Sequence, residues 1–269
     1  IWIYCVKKIR VDEEMKKKMI ERKNIKKYLI VTGVLALVTI VGAGCGKKNS
    51  SKEEKNQNQP TVTVGCDDYT PFSYMDVDGN LTGIDVELAT EAFDRMGYKA
   101  NIEFIDWEEK KQLLQKGTID CVWSSFTMDG RENEYKWAGP YMKSNQVVAV
   151  NIDSEIHTLE DLNGKTIAVQ STTKPEDLFR EHDEKLPKFR KVLSVKNRDL
   201  LYTFLSKGYV DAIAAHDTSI EQFMENFDME YRILDEPLLT VGLGVAFDIN
   251  DDRGLDKELS KTLKEMQSD

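Results

Sequence analysis

Between Thr61 and Phe126 the hydrophobic pattern switches period four times. TVTVGC (61–66) is a short β-branched run of strand type. IDVELATEAFDRMG sets Ile84, Leu88, Ala92 and Met96 along one helical face and closes at Gly97. KANIEFID (99–106) reads as a second strand. WEEKKQLLQKG turns Leu113 and Leu114 inward on a short helix that ends at Gly117, and IDCVWSSF (119–126) is a third strand. This β-α-β-α-β order predicts a parallel sheet with crossover helices, because parallel neighbours need a connection long enough to return along the sheet. Such sheets take ligands beyond the C-terminal ends of their strands.

A second unit of the same kind starts near Asn151. HTLEDLNGK gives a helical turn, TIAVQ a strand, STTKPEDLFREH a loop and helix, and FRKVLSV a strand. NRDLLYTFLSKG, VDAIAAH and DTSIEQFMENF continue as helix, strand and helix. Val147–Val150 precede this unit and VGLGVAF (241–247) follows it. Two strand-like segments flanking an inserted unit predict two crossings between lobes, with the last helix, LDKELSKTLKEMQ, returning to the first lobe.

The N-terminal part is of another kind. A basic block from Lys16 to Lys27 precedes the uncharged LIVTGVLALVTIVGAG and Cys45. Basic, apolar and small residues in that order are the parts of a secretory signal. Ala43-Gly44-Cys45 resembles a lipobox in which Cys45 receives a diacylglyceryl group, with Gly42 where Leu is usual. A short transmembrane anchor is the alternative. Met15 or Met19 is read as the start, with the residues before them as upstream translation. GKKNSSKEEKNQNQP, after Cys45, is polar and aperiodic, a flexible tether.

Charge narrows the partners. The first 44 residues hold ten of the 37 basic and four of the 47 acidic side chains, so the remainder carries 27 against 43, a formal −16. Such a surface repels nucleic acid and anionic lipid. Cys66 and Cys121 fall on neighbouring strands about three residues out of level, roughly 10 Å at strand rise, too far for a disulfide. No spacing suggests zinc, and no cofactor is expected.

Ser124, Ser125, Thr127 and Arg131 cluster beyond the end of the third strand, the residue types that hold an anion. Their surroundings carry a resemblance. VGCDDYTPFSY, DGNLTGIDVELATEAFDRMG, GTIDCVWSSFTMDGREN, WAGPYM, LEDLNGKTIAVQSTT, GYVDAIAAHD and GLGVAFDIND, in that order from Thr61 to the C-terminus, resemble the family 3 extracellular solute-binding proteins. The resemblance implies an α/β, type II periplasmic-binding-protein fold, two α/β lobes joined by a two-strand hinge. It implies an extracytoplasmic, lipid-anchored receptor that holds a polar amino acid between closing lobes and delivers it to the transmembrane permease subunits of an ABC importer. The expected organisation is 1–44 as upstream residues and signal peptide, 45–60 as tether, 61–150 plus 241–269 as lobe 1, and 151–240 as lobe 2.

The same resemblance distributes roles. Arg131 would take the ligand carboxylate through a bidentate fork, against a local alternative of pairing with Glu132 or Glu134. Ser124, Ser125 and Thr127 would hold both ends of a zwitterion. Thr172 and Thr173 precede a helix, with a Thr173/Glu176 capping box and Pro175 in the first turn, and would grip the carboxylate from the second lobe. Asp217 would answer the ammonium, or act only as a helix N-cap, with His216 as the neighbour to watch. Tyr69, Phe72 and Trp107 would wrap the ligand side chain, with core packing as the other role open to Phe72. Cys66 stands where receptors for basic amino acids tend to have Asp, so a polar uncharged and a cationic ligand both stay open. A dehydratase of the cyclohexadienyl type on this fold, and a sensor paired with a histidine kinase, are the competing functions. No nucleophile-base-orienter set, metal spacing or phosphate loop supports an enzyme.

Overall fold

A computed structural model describes residues 59–181 and 186–269. The signal, Cys45 and most of the tether lie outside these residues. The described elements, in chain order, are β1 (Thr61–Cys66), β2 (Tyr74–Met75), β3 (Leu81–Thr82), α1 (Ile84–Arg95), β4 (Lys99–Phe104) and α2 (Lys110–Gln115), preceded by a 3₁₀ turn at Trp107–Glu109. Next come β5 (Cys121–Thr127), β6 (Tyr135–Asn151), a 3₁₀ turn at Glu160–Leu162, β7 (Thr166–Gln170) and α3 (Lys174–Arg180). Then follow β8 (Lys191–Val195), α4 (Asp199–Ser206), β9 (Ala212–His216), α5 (Asp217–Phe227), β10 (Tyr231–Ile233), β11 (Leu239–Asp248) and α6 (Leu255–Met266).

Both lobes share one sheet, ordered β4-β1-β5-β11-β6-β9-β7-β8, with β10 added on β6. β4, β1 and β5 are parallel, as are β8, β7 and β9. β11 and β6 run antiparallel between these two sets. The expected crossings are therefore a continuous ladder. β6 pairs with β11 from Tyr135 to Gln146 and with β9 from Gln146 to Val150. The side chains of Val147–Val150 pack with residues of β7 and β9, such as Ala168, Val169, Ile213 and Ala214.

Each lobe buries its own cores. In the first, Phe93 of α1, Trp123 of β5, Phe247 of β11 and Leu255, Leu259 and Leu263 of α6 form one cluster. In the second, α4 and α5 cover one face of the sheet and α3 the other. The buried stripe of α1 is Val86, Ala89, Ala92 and Phe93; Ile84, Leu88 and Met96, three of the four residues expected to face inward, are only partly buried beside it.

Cys66 and Cys121 are buried and free. Cys121 lies level with Val64, two residues from Cys66 rather than three. Burial pushes the Cys66 thiol up to about 12 and raises Cys121 as well, so both are inert as nucleophiles.

One glycine fixes the approach of α1 to the site. Gly83 has φ +129°, and a Cβ there would stand 2.3 Å from the Phe72 carbonyl oxygen. The Ile84 and Asp85 amides donate to the Pro71 and Phe72 carbonyls at 3.0 and 2.9 Å, which sets Asp85 beneath β5.

Candidate functional site between the lobes

The C-terminal ends of β5, β7 and β9 converge on a cavity of about 380 Å³, counting the part open to solvent. Tyr69, Trp107, Ser124, Ser125, Thr127 and Arg131 line it from the first lobe, and Thr172 and Thr173 from the second. Eight of the ten ligand-contact residues expected from sequence therefore meet at one place.

Ser125 is held in a strained backbone state, φ +49°. Behind it lies Asp85, 1% exposed, whose carboxylate accepts from the Ser125 amide at 2.6 Å and the Tyr141 hydroxyl at 2.8 Å. Burial raises the Asp85 carboxyl to about 7. Ser124 Oγ accepts from the Asp67 amide and shares a hydrogen bond with Ser73 Oγ. Thr173 Oγ1 donates to the Gln170 carbonyl rather than capping α3, and Glu176 reaches back to the Thr172 amide at 2.7 Å. The expected capping box is thus half formed and shifted by one residue.

Arg131 is buried, but its partner is neither Glu132 nor Glu134. Its Nη2 donates to Asp177 of the second lobe at 2.5 Å, and its guanidinium lies over Phe126. Other contacts cross between lobes. Gln170 Nε2 donates to Asp67 at 2.8 Å, and Lys110 Nζ to Thr172 Oγ1 at 2.8 Å.

Two expected residues sit elsewhere. Phe72 is fully buried in the first lobe's core, its ring 5.2 Å from Tyr69. Asp217 is the first residue of α5 rather than its N-cap, and it is not among the cavity residues. Its carboxylate accepts from Asn145 Nδ2 at 2.9 Å, Ser144 Oγ at 3.2 Å and the Thr218 amide at 2.8 Å. The residue on the wall is His216. Gln146 Nε2 donates to His216 Nε2 at 2.8 Å, which leaves Nδ1–H to donate to Ser144 Oγ at 2.8 Å. Desolvation, with Arg198 nearby, pushes the imidazole down to about 3, so it is neutral at physiological pH. Ser144, His216 and Asp217 do not make a hydrolytic relay, because the serine bonds both partners and no His–Asp bond orients the ring.

Sequence reasoning missed four polar residues. Gln146, Gln170, Lys174 and Arg198 all line the cavity. Gln170 ends TIAVQ, so the strand-end rule that selected Ser124 also selects it. Arg198 carries no such signal; its guanidinium carbon stacks 3.1 Å above the Tyr69 ring and its Nη2 lies 3.4 Å from Asp67. Among the described residues, the buried side-chain atoms without a hydrogen-bond partner concentrate here: Trp107 Nε1, Ser125 Oγ, Gln146 Oε1, Gln170 Oε1 and Arg198 Nε. Orphans of this kind are rare in folded proteins, and a group that enters the cavity satisfies them. Among the described residues no group of three or more His, Cys, Asp or Glu could hold a metal ion.

Residues 62–269 match the bacterial extracellular solute-binding proteins, family 3. The chain belongs to this family. As a family 3 protein it is 29% identical over 247 residues to the arginine-binding extracellular protein ArtP of Bacillus subtilis, covering 90% of this chain and 93% of that one. Its fold matches an ancestral arginine-binding protein bound to arginine with a TM-score of 0.71 and 26% identity, over 78% of this chain and 94% of that one. An ancestral amino acid-binding protein described as a precursor of cyclohexadienyl dehydratase matches at TM-score 0.69 and 28% identity, over 78% and 90%. The type II periplasmic-binding fold of family 3 puts the cavity where its two lobes meet, and the relatives just named are binding proteins.

Proposed function

We propose that the protein is the extracytoplasmic receptor of an ABC importer, anchored through a lipid on Cys45, that closes on one small amino acid and presents it to the permease. It works as a binding protein and not as an enzyme. The observation that carries this reading is the convergence of unpartnered buried donors and acceptors from both lobes on one cavity. Arg131, Ser125, Thr127 and Thr173 take the carboxylate, with Thr172 beside them. Gln146 Oε1 and Gln170 Oε1 take the ammonium in place of Asp217, whose oxygens are already engaged. A ligand touching both walls favours the closed arrangement through contacts that exist only there. Charge-assisted hydrogen bonds of about 1.5–3 kcal/mol each, less the cost of immobilisation, are enough for roughly micromolar affinity.

A thermal-shift screen of the proteinogenic amino acids tests this. One amino acid, or a small related group, raises the melting temperature, and Arg131→Ala removes the shift. No response to any amino acid, with a response to sugars or peptides, overturns the ligand class.

A further inference from the structure

The charges around the cavity do not balance for a neutral zwitterion. Among the described residues no Asp or Glu lines it, whereas Arg131, Lys174 and Arg198 do. Two of these cations have carboxylates beside them, Asp177 on Arg131 and Asp67 on Arg198. Lys174 lies in the field of Glu132.

A fourth cation stands directly behind the wall. Lys110 is 5% exposed, and its Nζ bonds the Trp107 carbonyl at 3.0 Å and Thr172 Oγ1 at 2.8 Å, both on residues that line the cavity. Its Nζ sits 4.5 Å from the centre of the Trp107 ring. Every atom that accepts from it is neutral; Arg131 adds a like charge nearby, and Asp177, Asp67 and Glu108 attract it only through space, without a hydrogen bond. A buried ammonium with no carboxylate bonded to it is costly. The unpartnered donors Trp107 Nε1 and Arg198 Nε add two more groups that favour an anion. On the acceptor side the open atoms are two amide oxygens and the Ser125 hydroxyl, all neutral, enough for one ammonium but without a carboxylate for a guanidinium as well.

We infer that the ligand carries two carboxylates on a short chain, the first against Arg131 and the second near Thr172 and Trp107, where Lys110 supplies the answering charge. This rests on the receptor reading and narrows its ligand from polar amino acids to dicarboxylic ones. A cationic side chain placed there would meet Arg131, Lys174, Arg198 and Lys110 with no acid on the wall.

Calorimetric titration of the full chain tests it with L-glutamate, L-aspartate, glutarate, succinate, L-glutamine, L-asparagine and L-arginine. The expected result is that a dicarboxylate binds at least about ten-fold tighter than its amide or than arginine. Binding of the amino dicarboxylates alone identifies an acidic amino acid as the source; equal binding of glutarate or succinate identifies a plain dicarboxylic acid. Lys110→Met should cut dicarboxylate affinity at least about ten-fold and move glutamine affinity by less than about three-fold. Tightest binding of glutamine or arginine, with the dicarboxylates silent, overturns this inference and leaves the receptor reading intact. Silence from every compound overturns both.

Discussion

Lys110→Met should make the empty protein more stable, and the gain should depend on pH with a definite sign. Desolvation, with Arg131 adding repulsion, pushes the Lys110 ammonium down from 10.5 to about 7. At about 1.4 kcal/mol per pH unit this is a cost of about 5 kcal/mol to the folded state below pH 7. Methionine removes that cost and keeps the length of the chain against Trp107 and Phe126. It also forfeits the hydrogen bonds to Trp107 and Thr172, about 1 kcal/mol each, and the cation–π contact over Trp107, about 1 kcal/mol. The net gain should be about 2 kcal/mol at pH 6. Between pH 7 and 10.5 the unfolded chain holds a proton on Lys110 that the folded chain lacks, so wild-type stability rises with pH from this group. The advantage of the variant must therefore shrink across that window and change sign before its end. Urea unfolding of both proteins at pH 6, 8 and 10 measures it. A variant that is less stable at pH 6, or a gain that is the same at all three, would show that Lys110 is not a desolvated ammonium in the folded protein. A gain of this kind would mark Lys110 as a residue that costs stability beside the binding wall, as groups kept for function commonly do.

Two further outcomes follow from buried titratable groups. Asp85→Ala leaves the Ser125 amide and the Tyr141 hydroxyl without partners, and should destabilise by about 2–4 kcal/mol in urea, with ligand affinity falling because Ser125 is no longer held. His216, pushed from 6.5 to about 3, takes no proton in the folded state as pH falls between those values, while the unfolded chain does. Wild-type stability should drop through that window by up to about 1.4 kcal/mol per pH unit relative to His216→Asn, read from unfolding curves at pH 6 and 4; parallel curves would show that the imidazole is not desolvated.

Strand and helix order was legible because period and turn residues act locally. TVTVGC and TIAVQ are strands as read, VDAIAAH is strand from Ala212 on, and Gly97 and Gly117 end their helices. The joining of both lobes into one ladder was not legible, since β6 runs on through Gly139-Pro140 and its pairing depends on β11, about a hundred residues away. Residues at strand ends, such as Ser124 and Ser125, could be placed because topology fixes that edge. Asp217 could not, because one residue of register at the β9–α5 junction decides whether it or His216 meets the cavity. Lys110 was hidden in WEEKKQLLQKG, where a lysine on a short helix reads as a solvated face, and only tertiary packing against Thr172 buries it.

A clamp grips one ligand from two sides, and peptide-resolved hydrogen exchange with and without saturating ligand sees both walls at once. Protection should rise together at Ser125–Arg131 on one wall and Thr172–Lys174 on the other. A ligand that binds and protects only one of these segments would show that the lobes do not clamp it.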